Sequence, residues 1–484
     1  PPGRGGAPFA PVPPRPPRKA QPVPQVLTAG PPWRVMLVFA VPMLVGNVVQ
    51  QLYHVTDAMV VGRTLGFEAL GAVGATGALL FLVLGFAWGL TGGFTIPTAQ
   101  AAGARDVPGI RRSIAAGTTL TVLTSVVITV AGPLLAGPAL RLLHTPAELL
   151  PQATTFAQVS FLGGATMMAF NYVTSVVRAI GDSRTPLVFL VLSCLVNLGL
   201  VLLFVGVLRW GVAGAAGPTA LAQATAATAC LLYVRHRVPV LRMGAGQWRT
   251  TRADLTRHVR LGLPMGVQMS IIAIGTLGVQ MRLNSLGATE VAAYTSALRV
   301  DQLAVVVFQA LGMASTTFAA HNLGARRPDR LLLGARQALW MSVVAAVVCG
   351  GLLVTLGARL VGLFLTEGGE QVTAMAAHYL LVNGSLYVVL GVLFVTRGVL
   401  QGLGQTLVPT LTAALELAMR IGVAAVFGGI FGFAGVVWAN PAAWVAATVL
   451  LLVAYRRARR ELVEEVARAG LAAARPELST PAAR

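Results

Sequence analysis

The chain has 484 residues, 56% of them hydrophobic and only 11% charged, and its mean hydropathy is +0.75. Soluble proteins carry about 25% charged residues, so a water-exposed globule around one core is excluded and the bilayer is the expected solvent. The formal net charge of +20 does not indicate nucleic-acid binding, because the basic residues sit between apolar runs and form no stripe on a folded domain; such loops suit an anionic leaflet.

In chain order, residues 1–32 are proline-rich, lack the apolar stretch of a signal peptide and are expected to form a disordered cytoplasmic tail. Apolar runs follow at about 33–62, 69–98, 112–138, 153–178, 186–207, 211–235, 258–284, 291–319, 332–358, 373–400, 408–429 and 433–455. Each reaches the ~20 residues a helix needs to span the bilayer. No strand alternation competes with them. The expected fold is therefore an all-α polytopic membrane protein with twelve transmembrane helices: six in 33–236, a cytoplasmic loop at 237–257, six in 258–456, and a cytoplasmic tail at 457–484.

The arginines set the orientation. Alternate loops carry Arg105, Arg111 and Arg112, then Arg178 and Arg184, then six arginines between 235 and 257, then Arg326, Arg327 and Arg330. The intervening loops hold little beyond Arg63, Arg141, Arg209 and Arg359. By the positive-inside rule the arginine-rich loops and both termini face the cytoplasm, across an inner membrane.

The two halves repeat. A shift of 221 residues lays Leu65-Gly66 on Leu286-Gly287 and Gly103-Ala104-Arg105 on Gly324-Ala325-Arg326, while Pro42 and Pro264 open the copies one residue out of register. An even number of spans per copy makes the repeat parallel, related by an axis along the membrane normal. Cys194, Cys230 and Cys349 lie inside apolar runs without metal or redox spacing and read as small buried hydrophobes.

Three acidic residues fall well inside spans: Asp57, Asp301 and Glu416. A charge at mid-bilayer costs ~2.5–3.5 kcal/mol, so each needs a reason. In the first span Asn47, Gln50, Gln51, His54 and Asp57 share an arc of about 120° on a helix. Such a face meets a wet cavity or a neighbouring helix, and an inter-helix hydrogen-bond seam is the structural alternative. Tyr53, four residues before Asp57, is placed to hydrogen-bond its carboxyl. A carboxyl there can hold a proton in a dry state and release it in a wet one, as proton coupling requires.

The fourth span offers Asn171, Thr174, Ser175 and Arg178 on one face, with Arg178 expected to snorkel toward the cytoplasmic surface. Glu416 and Arg420 have the i, i+4 spacing of a local ion pair. Asp301 lies roughly opposite Arg299 around its helix and needs a partner elsewhere, or a proton. Pro42 and Pro264 are expected to bend their spans at matching places. No phosphate loop, HExxH or G-x-S-x-G string is present, so transport would draw on an ion gradient.

The stretch from Pro42 through QQLYHVTDAMVVGRTLGFEALGAVGAT closely resembles the opening of the multidrug and toxic compound extrusion (MATE) transporters. RAIGDSRTP at 178–186, GLPMGVQ at 262–268, AAYTSALRVDQLA at 292–304 and NLGARRPDR at 322–330 also resemble that family, in its bacterial and archaeal branches. The resemblance implies two six-helix bundles arranged as a V. It also implies exchange of a small organic cation for H+ or Na+, no cofactor beyond that ion, and no enzymatic activity. Asp57 occupies the place of the family's first-helix coupling acid, and Asp301 lies in its R-x-D string. Asn197 is present in the fifth span, but Val201 stands where many members carry Asp, which weakens a sodium site and favours protons. Asn47, Gln50, Gln51, Tyr53, Asn171 and Asn197 are the expected lining of the first lobe, and Gln280 and Asn284 that of the second. Two rivals remain at this stage: a lipid-linked oligosaccharide flippase of the same superfamily, and an intramembrane enzyme using His54 or His144 as base.

Overall fold

The computed structural model describes residues 27–362 and 370–474. Sixteen α-helices run in chain order: α1 (Pro32–Leu65), α2 (Phe67–Phe94), α3 (Ile96–Gly103), α4 (Val107–Leu142), α5 (Leu150–Leu162), α6 (Gly164–Ala179), α7 (Arg184–Val201), α8 (Gly211–Arg237), α9 (Arg252–Leu286), α10 (Ala288–Gly324), α11 (Pro328–Gly362), α12 (Glu370–Ser385), α13 (Tyr387–Gly402), α14 (Leu407–Phe431), α15 (Phe433–Val437) and α16 (Ala439–Ala474). No strand occurs among the described residues.

Every one of the twelve apolar runs falls on a helical segment, and several segments are interrupted. The break between α5 and α6 comes at Gly163, and α12 meets α13 at a 51° bend. Among the described residues nine segments are long and apolar enough to cross a membrane alone, and the bent α12–α13 pair makes ten. The other two are α5–α6, divided into pieces of 13 and 16 residues, and the alanine-rich α8.

The duplication is written in the backbone. Positive φ occurs at Gly66 and Gly287, Arg105 and Arg326, Gly181 and Gly404, and Gly211 and Gly432. These are matching ends of matching helices. An arginine with φ of 55° in one copy and 53° in the other is uncommon, and its recurrence marks one turn used twice.

Several boundaries differ from those expected. Residues 1–26 and 475–484, assigned to the tails, lie outside the described residues. Residues 27–31, also assigned to the disordered tail, are docked on the second lobe. Arg330 donates to the carbonyls of Gly30 (2.6 Å) and Ala29 (3.0 Å), and Leu27 is buried among Phe39, Ala310 and Ala314. The loop expected at 237–257 ends early, because the Thr251 hydroxyl accepts from the Asp254 amide (3.2 Å) and the Asp254 carboxylate answers at the Thr251 amide (3.2 Å). That capping box starts α9 at Arg252. At the other end α16 continues as helix to Ala474, past the expected boundary at 456.

Helices α1–α8 build the first lobe and α9–α16 the second, but α1 straddles them. Met36, Phe39 and Met43 pack on α10 and α11 residues of the second lobe, whereas Val61, farther along, packs with Val201 and Val205 of the first. The inter-lobe contacts gather at the arginine-rich end. There Gly93 of α2 meets Gly262 of α9, and Gly103 and Gly324 sit against backbone of the opposite lobe. His321 donates through Nε2 to the Ala179 carbonyl (2.7 Å), Gln100 donates to the Gly402 carbonyl (3.2 Å), and Arg257 donates to Gln100 (2.8 Å). His258 hydrogen-bonds Ser113 (2.9 Å), which in turn hydrogen-bonds Thr98 (2.7 Å). Its Nδ1 donates to the Asp254 carbonyl (2.7 Å), so Nε2 of the neutral ring accepts from Ser113.

The seam ends near the Ser270 hydroxyl, which donates to the Leu82 carbonyl (3.2 Å). Beyond it Gly275 and Gly278 of α9 pack on α14 within their own lobe. The lobes therefore close at the arginine-rich end and part at the other.

A Cβ on Gly262 would stand 2.9 Å from the Leu90 carbonyl oxygen and overlap the Phe94 ring. Gly262→Leu is accordingly expected to force the lobes apart at the closed end. Maleimide labelling of a Thr98→Cys reporter reads this, since Thr98 is 0% exposed. Labelling should rise several-fold over the glycine background, and unchanged labelling would mean that the seam does not depend on this contact.

Candidate functional site

The polar face of α1 lies in the half of the molecule where the lobes separate. Asn47, Gln50, Gln51 and Asp57 are each half-buried there. Asn197 of α7 lies near the Asp57 carboxyl. The Oδ1 atoms of both Asp57 and Asn197 are buried without a hydrogen-bond partner. No ion pair involves Asp57 among the described residues. A carboxyl with an open acceptor position, at mid-membrane and with no cation beside it, can take a proton or meet an arriving cation.

Tyr53 does not hydrogen-bond Asp57 as its spacing suggested. Its hydroxyl pairs with Thr219 of α8 at 2.9 Å, because an i−4 side chain on the same helix reaches less easily than a hydroxyl on the helix facing it. Thr219 is the residue the sequence did not point to, and its only signal was a hydroxyl beside Pro218 in an alanine-rich run. His54 is exposed, with its ring edge-on to Tyr53 at 5.2 Å.

On α6, Asn171 is half-buried and its carbonyl accepts from the Thr174 hydroxyl at 3.1 Å. Arg178 does not snorkel. Its guanidinium turns back one helical turn to donate to the Ser175 hydroxyl at 2.7 Å. The arginine-rich end of α6 is covered by the second lobe, where Ala179 binds His321, so no open surface is offered there.

Two acids of the second lobe, Asp301 and Glu416, lie in closed interior sites. Asp301 is 3% exposed and accepts from the Tyr387 hydroxyl at 2.6 Å; the Tyr387 ring packs edge-on to Phe308 and at a tilt to Trp444. The expected Glu416–Arg420 pair is not formed. Glu416 pairs instead with Arg397 of α13, both being buried, while Arg420 points at Gly275 of α9. An inter-helix partner satisfies Glu416 inside the lobe, whereas an i, i+4 pair runs along one helix surface. Arg397 had a signal, since a cation inside the run 373–400 needs a partner. Gln280 donates to Asn284 (2.8 Å) at the outer end of α9, exposed and apart from the buried acids.

Pro264 does have a local structural consequence. Its ring leaves the Arg260 carbonyl without a helical donor, and the Thr406 hydroxyl reaches that oxygen at 3.4 Å while Thr410 donates to the Pro264 carbonyl at 2.8 Å. Pro42 lies inside α1 at the corresponding place.

Tyr387→Phe removes the only hydroxyl bonded to Asp301 among the described residues. Leaving a buried acceptor unmet costs about 1–3 kcal/mol, so the variant should unfold in detergent several degrees below wild type. An unchanged melting temperature would mean that Asp301 finds another donor.

A duplicated, two-lobed, multi-pass helical membrane protein with a cleft open at one end has the architecture of a secondary transporter. The MatE family model matches residues 42–203 and 264–426, beginning at the two repeat-opening prolines. The chain belongs to this family, the multidrug and toxic compound extrusion transporters. The probable multidrug resistance protein YpnP of Bacillus subtilis is 30% identical over 382 residues, covering 78% of this chain and 84% of that protein. The multidrug export protein MepA of Staphylococcus aureus is 25% identical, covering 84% and 90%. Among solved structures, the outward-facing conformation of a multidrug resistance MATE transporter aligns with a TM-score of 0.85 at 22% identity, covering 92% of this chain and all of that one. A superfamily transporter from Pyrococcus furiosus, described as having a binding pocket of reversed polarity, aligns with a TM-score of 0.84 at 22% identity, covering 93% and 99%. At that identity the structural likeness establishes the fold.

Proposed function

We propose that this protein exports small organic cations in exchange for protons by alternating access, across the inner membrane and with both termini in the cytoplasm. The observation that carries the proposal is the Asp57 carboxyl, which has one buried oxygen without a donor and lies on an amide-lined face of α1 where the lobes part. Taking the arginine-rich end as cytoplasmic, the cleft opens outward. In that state Asp57 gains a proton from outside and the cation leaves. With the cleft open inward, the deprotonated carboxylate attracts a cation from the cytoplasm on Coulomb grounds. Asn47, Gln50, Gln51, Tyr53, His54, Asn171 and Asn197 line or brace the first-lobe side, and Gln280 and Asn284 the second. Asp301 serves as a second protonatable group inside its lobe. Val201 is packed against Val61 and Val205, so the first lobe lacks a second carboxylate there for a sodium site.

The names of the relatives support drug-like substrates, and the absence of any nucleotide-binding string leaves an ion gradient as the energy source. Ethidium efflux from proteoliposomes, with proton and sodium gradients imposed separately, tests the proposal. Efflux driven by protons alone supports it. Efflux driven only by sodium would replace the coupling ion, and no efflux under either gradient would favour the lipid flippase.

A further inference from the structure

Two arginines stand on the outer surface of neighbouring helices at the arginine-rich end. Helices α1 and α11 run side by side in the same direction. The Trp33 amide donates to the Gln337 side chain at 2.9 Å, and farther along Phe39 and Met43 pack with Met341 and Ala345. Residues 33 and 337 are therefore level, which sets Arg34 and Arg336 within about one helical turn of each other in depth. Arg34 heads an exposed apolar stripe of α1 formed by Leu37, Val41 and Val45, whose spacing keeps it on one face. Arg336 interrupts a matching stripe of α11, between Leu333 and Trp340, that continues through Val344 and Val347. Exposed apolar stripes on membrane-spanning helices meet lipid, and those of two packed helices flank one groove on the outside of the bundle.

Arg336 lies eight residues after the start of α11, about 12 Å along the helix axis. The whole helix is about 52 Å long against a hydrocarbon core of about 30 Å, so Arg336 sits near the edge of the hydrocarbon, at the level of the headgroup phosphates. Neither Arg34 nor Arg336 makes an ion pair or a side-chain hydrogen bond among the described residues. Asp329, at the start of the same helix, is taken by Arg327 (3.6 Å). Trp33 and Trp340, 47% and 63% exposed, flank the arginines, and indole rings favour the boundary between headgroup and acyl chain. A lone cation at this depth snorkels into water. Two of them on neighbouring helices, without a carboxylate and framed by tryptophans, make a site for a lipid phosphate.

We propose that Arg34 and Arg336 together bind one anionic phospholipid of the leaflet at the arginine-rich end, the phosphate lying between the two guanidiniums and the acyl chains along the stripes of α1 and α11. A zwitterionic headgroup brings an ammonium toward the second guanidinium and is disfavoured on Coulomb grounds, so the site selects lipids with net negative charge. The bound lipid pins the start of α1 to the second lobe, adding to the anchor that Arg330 makes at Gly30. This inference is independent of the exported substrate and of the coupling ion.

The test titrates the purified, delipidated full chain in detergent with dioleoylphosphatidylglycerol or dioleoylphosphatidylcholine and reads the lipids retained by native mass spectrometry. Wild type should hold one phosphatidylglycerol at least about tenfold more tightly than phosphatidylcholine, as expected for a charged hydrogen bond. Arg34→Gln combined with Arg336→Gln should remove that preference, while lysine at both positions should keep most of it, since an ammonium also binds phosphate. Arg141→Gln combined with Arg359→Gln removes the same charge from exposed positions at the opposite end and should leave the preference intact. Melting curves without added lipid should coincide for all of these proteins, showing that each is folded. No preference in wild type, a preference that survives glutamine at both positions, or an equal loss in the two glutamine pairs would overturn the inference.

Discussion

Asp57→Asn should abolish gradient-driven efflux, lowering the initial rate at least about tenfold, while expression and folding stay at wild-type levels. The amide keeps the size and shape of the side chain, so binding geometry survives; what is lost is the ability to exchange a proton for a cation. No ion pair depends on Asp57, so removing its charge leaves no orphaned partner. Since a mid-bilayer charge costs ~2.5–3.5 kcal/mol, thermal stability should hold or rise. A variant with wild-type efflux would remove Asp57 from the coupling step. One that fails by unfolding would make its role structural.

Glu416→Ala should have the largest effect on stability. The Arg397–Glu416 pair is buried on both sides, with side-chain exposures of 7% and 7%, and its removal leaves Arg397 charged inside the second lobe. Breaking a buried pair from one side costs about 3–5 kcal/mol, whereas replacing both partners with apolar residues is often neutral. Detergent melting curves should therefore show a severe loss for the single variant and recovery in an Arg397→Met, Glu416→Leu double variant. Equal losses in single and double variants would contradict this account of the pair.

Much of the architecture could be read from the chain. The twelve runs, the repeat and the polar face of α1 all follow from where water-loving groups are tolerated in lipid, and that constraint acts residue by residue. Partner choice could not be read in the same way. Tyr53 chose Thr219, Glu416 chose Arg397, and Arg178 turned back to Ser175; each depends on which helices become neighbours, and periodicity along one helix does not encode that. The docked segment 27–31 was hidden for a related reason, since its anchors are backbone carbonyls held by Arg327 and Arg330 some 300 residues away. Pairwise closure at the arginine-rich end is also a property of the packed lobes. It becomes visible only when Gly93 and Gly262, far apart in sequence, meet across the seam.

The central claim is that a cation and a proton compete for Asp57. Purified protein in weakly buffered detergent solution, titrated with ethidium while the pH is recorded, tests it directly. Wild type should release about one proton per cation bound, and Asp57→Asn should bind with no release above background. Cation binding without proton release in wild type, or equal release in the variant, would contradict it.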